Sequence, residues 1–392
     1  MIQMVKIIAT IGPSSFNKKT IQKLDEYGVD YFRINLSHTD INDFEPIVKK
    51  IQSWTNKIVC PDTEGAQLRI GKLTNENIKL YENQKLKFYG SKNKLKFNNF
   101  YFNIEKPGEI LSIGDVLNID FNGATLQVHK IINESEIILR TLKEGTVSSN
   151  KGIGIDRNIA LDSLSTKDRK IIAIANKLNL KTIFFSFCSS SDDILELRSL
   201  FDYNVEIISK IESRIALTNL EEICKESDSI LIDRGDLSRD VQLEKIPRAQ
   251  KYIINVANKV GKPVYVATNL MESMLENSQP TRAELNDISG AIESGVDGLV
   301  LAAETAIGKH PTDAVRILSN VINEYKNKSK SINFSEILNF ETPLLNNPHG
   351  GKLIQQFSKM NRSDTKHMFN IKVDKNTISD IIQICEGTYS PV

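Results

Sequence analysis

The runs Val205-Glu206-Ile207-Ile208-Ser209-Lys210-Ile211-Glu212, Ser229-Ile230-Leu231-Ile232-Asp233 and Pro263-Val264-Tyr265-Val266-Ala267-Thr268 decide the fold. Each is short, nearly all apolar and rich in β-branched residues, and each leads into polar or charged ones. Between them, Ile215–Glu226 and Pro247–Val260 carry helical spacing. Apolar strands alternating with helices indicate a parallel sheet covered on both faces.

The same rhythm extends both ways along the chain. Lys6–Ala9, Tyr31–Asn35, Ile58–Asp62, Thr182–Phe187 and Gly298–Ala303 read as further strands. Lys19–Tyr27, Asp168–Leu178, Asp192–Leu200 and Thr281–Ser294 read as further helices. The set matches an α/β fold, a (β/α)8 TIM barrel. An open doubly wound sheet is the alternative, but no Gly-x-Gly-x-x-Gly follows the first strand.

One stretch breaks the pattern. Ile78–Leu80, Leu86–Tyr89, Val116–Phe121, Thr125–Ile131 and Glu136–Leu139 alternate or are β-rich, and Gly or Asn punctuates them. They predict a small all-β domain inserted after the third strand, at the rim where a lid would sit. The expected layout is barrel over 1–66 and 157–330, lid over 67–156, and a separate tail over 331–392.

Composition excludes other classes. Of 392 residues, 40% are hydrophobic and 25% charged, which disfavours disorder, a collagen-like repeat and a membrane bundle. A net charge of +1 argues against a strongly basic nucleic-acid binder. No run is long enough to cross a bilayer. Cys60, Cys188, Cys224 and Cys385 form no Cys-x-x-Cys pair, so a zinc ribbon and a thioredoxin motif are unsupported. Sparse cysteines and a short apolar start, interrupted by Lys6, lead us to expect a cytoplasmic protein.

The chemistry gathers at the strand ends, which converge on one face of a barrel. These ends carry Arg33, Asn35, Ser37 and His38; Asp62, Thr63, Glu64 and Arg69; Lys210 and Glu212; Arg234, Gly235 and Asp236; Thr268 and Asn269; and Glu304 and Thr305. Caps or isolated ion pairs explain one such residue but not a set on nearly every strand. Glu212 and Asp236 are hard oxygen ligands suited to Mg2+. Arg33, Lys210 and Arg69 supply positive charge for phosphate oxygens. Asn35, Ser37, Asp62 and Thr63 offer oxygens for a monovalent cation, although Asn35 and Ser37 also suit loop capping. The residue types point to phosphoryl transfer.

Longer motifs then carry a resemblance. Lys6-Ile7-Ile8-Ala9-Thr10-Ile11-Gly12-Pro13-Ser14-Ser15, Phe32-Arg33-Ile34-Asn35-Leu36-Ser37-His38, Ile207-Ile208-Ser209-Lys210-Ile211-Glu212, Arg234-Gly235-Asp236-Leu237, Ala267-Thr268-Asn269-Leu270-Met271-Glu272-Ser273-Met274 and Pro280-Thr281-Arg282-Ala283-Glu284 resemble, in order, motifs of the pyruvate kinase family. The likeness runs from about Lys6 to Ile322. It implies a barrel, a β lid and transfer of phosphate from phosphoenolpyruvate to ADP in glycolysis, with Mg2+ or Mn2+ and possible use of K+. By the resemblance, Arg33 contacts the transferring group, and Lys210 stabilises that group and the enolate. Glu212 and Asp236 hold the divalent metal. The amides of Gly235 and Asp236 and the Thr268 hydroxyl hold the carboxylate, with Thr268 near the proton path. Asn35, Ser37, Asp62 and Thr63 (through its carbonyl) bind K+. Asn35, His38, Arg69 and Lys167 lie on the nucleotide side. A homo-oligomer is implied by the motif around Arg282.

The departures are informative. The family's usual Asp-Thr-Lys-Gly-Pro-Glu is here Asp62-Thr63-Glu64-Gly65-Ala66-Gln67. Glu64 therefore reverses a charge, and Gln67 matches neither the Glu of K+-dependent members nor the Lys of independent ones. Asp233 replaces a small residue, Ser238 a glycine or alanine, Ile307 a lysine, and Cys188-Ser189 a Val-Arg pair. These changes leave a second reading open, a related phosphotransferase acting on another enol or carboxylate substrate. Retained Lys210, Glu212 and Asp236 disfavour a third, a non-catalytic barrel binding a nucleotide or partner. The family's C-terminal domain is absent from the sequence given. Instead, Pro348-His349-Gly350-Gly351-Lys352-Leu353 and Glu386-Gly387-Thr388-Tyr389-Ser390-Pro391 resemble the N-terminal segment of ATP sulfurylase. The tail lacks that enzyme's Gln-x-Arg-Asn and His-x-x-His motifs, so it is not expected to make adenylyl sulfate, although it hints at sulfur metabolism.

Overall fold

The computed structural model describes residues 5–326, apart from 76, 92–99, 120–122, 156, 158 and 160. The tail, with its expected turn at Asn346–Gly351 and helix at Ile378–Ile384, lies outside the described residues. Barrel strands are β1 (Lys6–Ile11), β2 (Val29–Asn35) and β3 (Ile58–Asp62). The insertion follows, with β4 (Ile78–Leu80), β5 (Lys85–Tyr89), β6 (Phe100–Tyr101), β7 (Val116–Ile119), β8 (Thr125–Asn133), β9 (Glu136–Lys143), β10 (Gly145–Val147) and β11 (Ile153–Ile155). The barrel resumes with β12 (Thr182–Phe185), β13 (Glu206–Ile211), β14 (Ser229–Asp233), β15 (Val264–Ala267) and β16 (Gly298–Leu301). The barrel strands are parallel and close in chain order, with β16 returning to β1. In the insertion, a six-stranded sheet ordered β11-β7-β8-β9-β5-β6 and the pair β10-β4 enclose a separate apolar core that includes Phe88, Phe102, Leu117 and Leu139.

Local signals fix the helix ends. Asn17, Ser165, Ser190 and Thr281 cap the helices Lys18–Glu26, Thr166–Lys177, Ser191–Ser199 and Arg282–Glu293. The side-chain oxygen of each satisfies a backbone donor that the helix leaves open. The expected single helix Ile215–Glu226 is instead two, Arg214–Thr218 and Leu220–Glu226. Asn219 breaks it: its backbone leaves the helical region, and its amide donates to the carbonyl of Ser189.

Strand periodicity places the site. Side chains alternate across a strand, so residues two apart share a face. Ile8, Tyr31, Cys60, Phe184, Ile208 and Leu231 belong to an apolar cluster filling the barrel interior, distinct from the core under the helices. Two residues further along each run come Thr10, Arg33, Asp62, Ser186, Lys210 and Asp233, all buried. The same parity that builds an apolar layer therefore builds a charged layer above it, at the C-terminal mouth.

Candidate active site

Lys210 is the hub of that layer. Its ammonium lies 2.7 Å from Glu212 Oε1, 3.4 Å from Asp233 Oδ2 and 3.5 Å from Asp62 Oδ1, and donates to Ser186 Oγ at 3.1 Å. Burial alone would lower the lysine's pKa, but the three carboxylates outweigh it and hold the group above its usual range. Arg33 stands on the other side of Asp62. Its guanidinium is 3.3 Å from Asp62 Oδ2, and its Nε donates to Thr10 Oγ1 at 2.9 Å. Ser186 completes the lattice by donating to Asp62 Oδ1 at 3.1 Å. A buried charge is tolerated only when paired and hydrogen-bonded, and each of these groups is.

The carboxylates divide into two kinds. Burial pushes Asp233 up, but Lys210 and Arg33 prevail and hold it below the usual carboxylate range. Burial pushes Glu212 and Asp236 up, and neighbouring carboxylates add to the effect. Glu212 Oε2 accepts from the amide of Phe187 at 2.6 Å, which aims it into the mouth. Asp236 Oδ1 is paired with Arg239 at 3.0 Å. Oxygens of Glu212, Asp233 and Asp236 all lie within 4.8 Å of one another. Such a compact, anionic, all-oxygen set suits a hard divalent cation.

At the end of β15, Thr268 and Asn269 have φ of +69° and +53°, a left-handed conformation that is strained for β-branched threonine. The turn brings the Thr268 hydroxyl to accept from the amide of Gly235 at 2.8 Å. The amide of Asp236 donates to Asp233 Oδ1 at 3.3 Å. Both amides assigned to a substrate carboxylate thus point at the site but already have acceptors within it.

The remaining expected residues group as follows. Asn35 and Asp62 are register partners across β2 and β3. Asn35 Oδ1 accepts from the amide of Ser37 at 2.9 Å, which is the loop-capping arrangement. Thr63 Oγ1 accepts from the amide of Ser186 at 2.8 Å. Burial lowers the pKa of His38, and the charges of Arg69, Lys167 and Lys151 lower it further. Lys167 Nζ donates to the carbonyl of Leu36 beside Ser37. Arg69 donates to the carbonyl of Asn150 at 3.1 Å and bridges Gly152, tying the two chain crossings of the lid together.

Two groups have contacts in the site that their sequence positions do not announce. Helical spacing places Asp168 at a helix start, yet its carboxylate also accepts from the amides of Glu64 and Gly65. Arg239 lies beyond the strand-end motifs. It follows the one-turn helix Arg234–Leu237, whose geometry returns its guanidinium to Asp236, three residues back. The i,i+3 spacing was the only available signal.

Among the described residues, no helix is long and apolar enough to cross a membrane. The family model of the pyruvate kinase barrel domain matches residues 2–315. A pyruvate kinase of Thermotoga maritima is 32% identical over 366 residues, covering 87% of this chain and 74% of the relative. One from Clostridium acetobutylicum is 30% identical over 355 residues, covering 86% and 73%. Among solved structures, a pyruvate kinase from Cryptosporidium parvum superposes with a TM-score of 0.71 at 29% identity, covering 86% of this chain and 74% of that one.

Proposed function

The chain belongs to the pyruvate kinase family, and we propose that it transfers the phosphoryl group of phosphoenolpyruvate to ADP, giving pyruvate and ATP. The observation that carries this reading is the buried ammonium of Lys210 at the barrel mouth, 2.7 Å from Glu212. Arg33 and Lys210 face the transferring group from two sides and offset its charge in a site largely closed to water. The bond between phosphorus and the enol oxygen breaks, and one to the terminal phosphate of ADP forms. The enolate takes a proton at its methylene carbon, with the Thr268 hydroxyl beside the path. Asn35, His38, Arg69 and Lys167 attend the nucleotide.

Glu212 and Asp236 would hold Mg2+ or Mn2+, and their oxygens fit that group. When bound there, the metal neutralises phosphoryl and enolate oxygens. Asn35, Ser37, Asp62 and Thr63 would supply oxygens for K+. Every residue proposed for the reaction precedes 327, so the tail's likeness to ATP sulfurylase adds none to it. A homo-oligomer is proposed by family likeness alone.

A coupled assay with phosphoenolpyruvate and ADP, with and without K+, tests the reaction: Mg2+-dependent pyruvate formation is expected, and its absence rejects the reading. Glu212→Gln and Asp236→Asn should each raise the Mg2+ concentration needed for half-maximal rate by tenfold or more, since each removes an anionic ligand. Unchanged metal titrations in both would misplace the metal.

A different enol or carboxylate substrate is favoured by Glu64. It follows Thr63 directly on the loop after β3, and its amide donates to Asp168 Oδ1 at 2.8 Å. Like charges about 4 Å apart repel by about 4 kcal/mol at an effective dielectric of 20. Screening reduces this, and Glu64→Lys should lower the KM for phosphoenolpyruvate or ADP several-fold. A higher KM for both, with slower pyruvate formation, would favour the other substrate.

A further inference from the structure

Asp233 brings a carboxylate to the position where the family carries a small residue. It closes β14, is buried, and follows the interior Leu231 by two positions. Its contacts are long for a charged group. Oδ2 lies 3.4 Å from the ammonium of Lys210, and Oδ1 accepts from the amide of Asp236 at 3.3 Å. Charge-assisted contacts usually close to about 2.7–2.9 Å. The cations in contact are already divided. Asp62 has Arg33 at 3.3 Å and Asp236 has Arg239 at 3.0 Å, which leaves Glu212 and Asp233 to share the single charge of Lys210. Among these pairs one buried negative charge is in surplus, and a small residue at 233 would not bring it.

A second observation points to a ligand. Glu212 Oε1 is buried and, among the described residues, accepts no hydrogen bond; the Lys210 ammonium stands 2.7 Å away without the geometry of one. Oε2 is fixed by the amide of Phe187. Glu212 therefore carries an open acceptor into the cluster it forms with Asp233 and Asp236, whose oxygens lie within 4.8 Å of one another.

We propose that Asp233 is a third carboxylate ligand of the divalent cation, beside Glu212 and Asp236, so that this chain takes up Mg2+ or Mn2+ before any substrate. Around an ion with bonds of about 2.1 Å, ligand oxygens lie about 3.0 Å apart when adjacent and about 4.2 Å apart when opposite. Oxygens already within 4.8 Å of one another need only small side-chain turns to meet that spacing. Mg2+ is usually held by one or two carboxylates and completed by substrate oxygens. A third carboxylate holds the ion without that help. Lys210 keeps its contacts with Asp62 and Ser186 when the ion draws on Glu212 and Asp233.

The inference rests on the metal site proposed above and not on the reaction, so its test needs no turnover. Asp233→Ser is the informative variant. Its hydroxyl can still cap the amide of Asp236, as serine does at helix starts, but it is too short to reach the ion. Mn2+ titrated into the substrate-free enzyme and followed by electron paramagnetic resonance should show a dissociation constant raised about tenfold or more, the loss of one anionic ligand. Asp233→Asn, which keeps an oxygen but no charge, should fall between. A nearby charge would weaken binding too, so the ligands are counted separately. In water enriched in oxygen-17 the Mn2+ line broadens with each bound water, and the serine variant should hold one more than wild type. An unchanged water count would overturn the ligation however the affinity moves, and so would Mn2+ affinity equal to or tighter than wild type. Mn2+ binding lost in Glu212→Gln but intact in Asp233→Ser would keep the two-residue site and reject the third ligand. A wild type that takes up no Mn2+ would reject both, whereas one that binds Mn2+ and makes no pyruvate would reject the reaction alone.

Discussion

Lys210→Met should reduce phosphoryl transfer by about 10²–10³-fold at saturating substrates, the usual cost of removing one preorganised charge from a reacting centre. The effect should fall on kcat, because the ammonium matters most where negative charge grows on the enolate and on the group in flight. The variant also leaves Asp62, Glu212 and Asp233 without the cation that joins them. Breaking a buried pair from one side costs about 3–5 kcal/mol, unless the carboxylates take up protons or a metal. A lower melting temperature is therefore expected, partly restored by Mg2+. Far-ultraviolet circular dichroism separates the two effects: a folded variant with turnover within tenfold of wild type would remove Lys210 from the mechanism.

The residues around Lys210 show what was legible beforehand. A period-2 reading of Ile208-Ser209-Lys210-Ile211-Glu212 puts Ile208, Lys210 and Glu212 on one face, but Ile207 and Ile211 on the other are as apolar, so the charged pair and not Ile208 marks the face that turns to the barrel interior. The same reading puts Asp233 above Leu231, so a partner for Lys210 was implicit in the strand pattern. The barrel and lid were legible for the same reason, because strands announce themselves by periodicity and punctuation. Loop geometry was not. Arg239 reaches Asp236 only because a one-turn helix reverses the chain after β14. The left-handed turn at Thr268 breaks the ordinary preference of a β-branched residue, and no local rule predicts it. The pairing of Asp168 with Glu64 spans 104 positions, and a capping box already accounted for the aspartate locally.

That double use makes Asp168 the site of the largest expected loss of stability. Its side chain is fully buried. The carboxylate accepts from the amide of Glu64 at 2.8 Å, the amide of Gly65 at 3.1 Å, and the amide and hydroxyl of Ser165 at 3.1 and 2.8 Å. It thereby ties the loop after β3 to the start of the helix Thr166–Lys177. The loop has no easy alternative. Gly65 has a φ of +74°, and a Cβ there would lie 2.6 Å from the carbonyl oxygen of Ser186, so the chain is already pressed against the next strand's end. Asp168→Ala leaves the donors of Glu64 and Gly65 without their acceptor, at about 1–3 kcal/mol each, and removes half of a capping box worth about 1 kcal/mol. A total of about 3–7 kcal/mol is a large share of the stability of an ordinary domain. Asp168→Asn keeps one acceptor oxygen but turns an NH2 toward N–H donors, so it should recover only part of the loss. Urea denaturation at constant slope gives the comparison directly. Because the loop also carries Thr63 and Glu64 into the mouth, the alanine variant should bind phosphoenolpyruvate and ADP less tightly well below its unfolding midpoint. An unfolding midpoint close to wild type for the alanine variant would mean that water replaces the carboxylate at both amides, and that the helix cap and the β3 loop are independent.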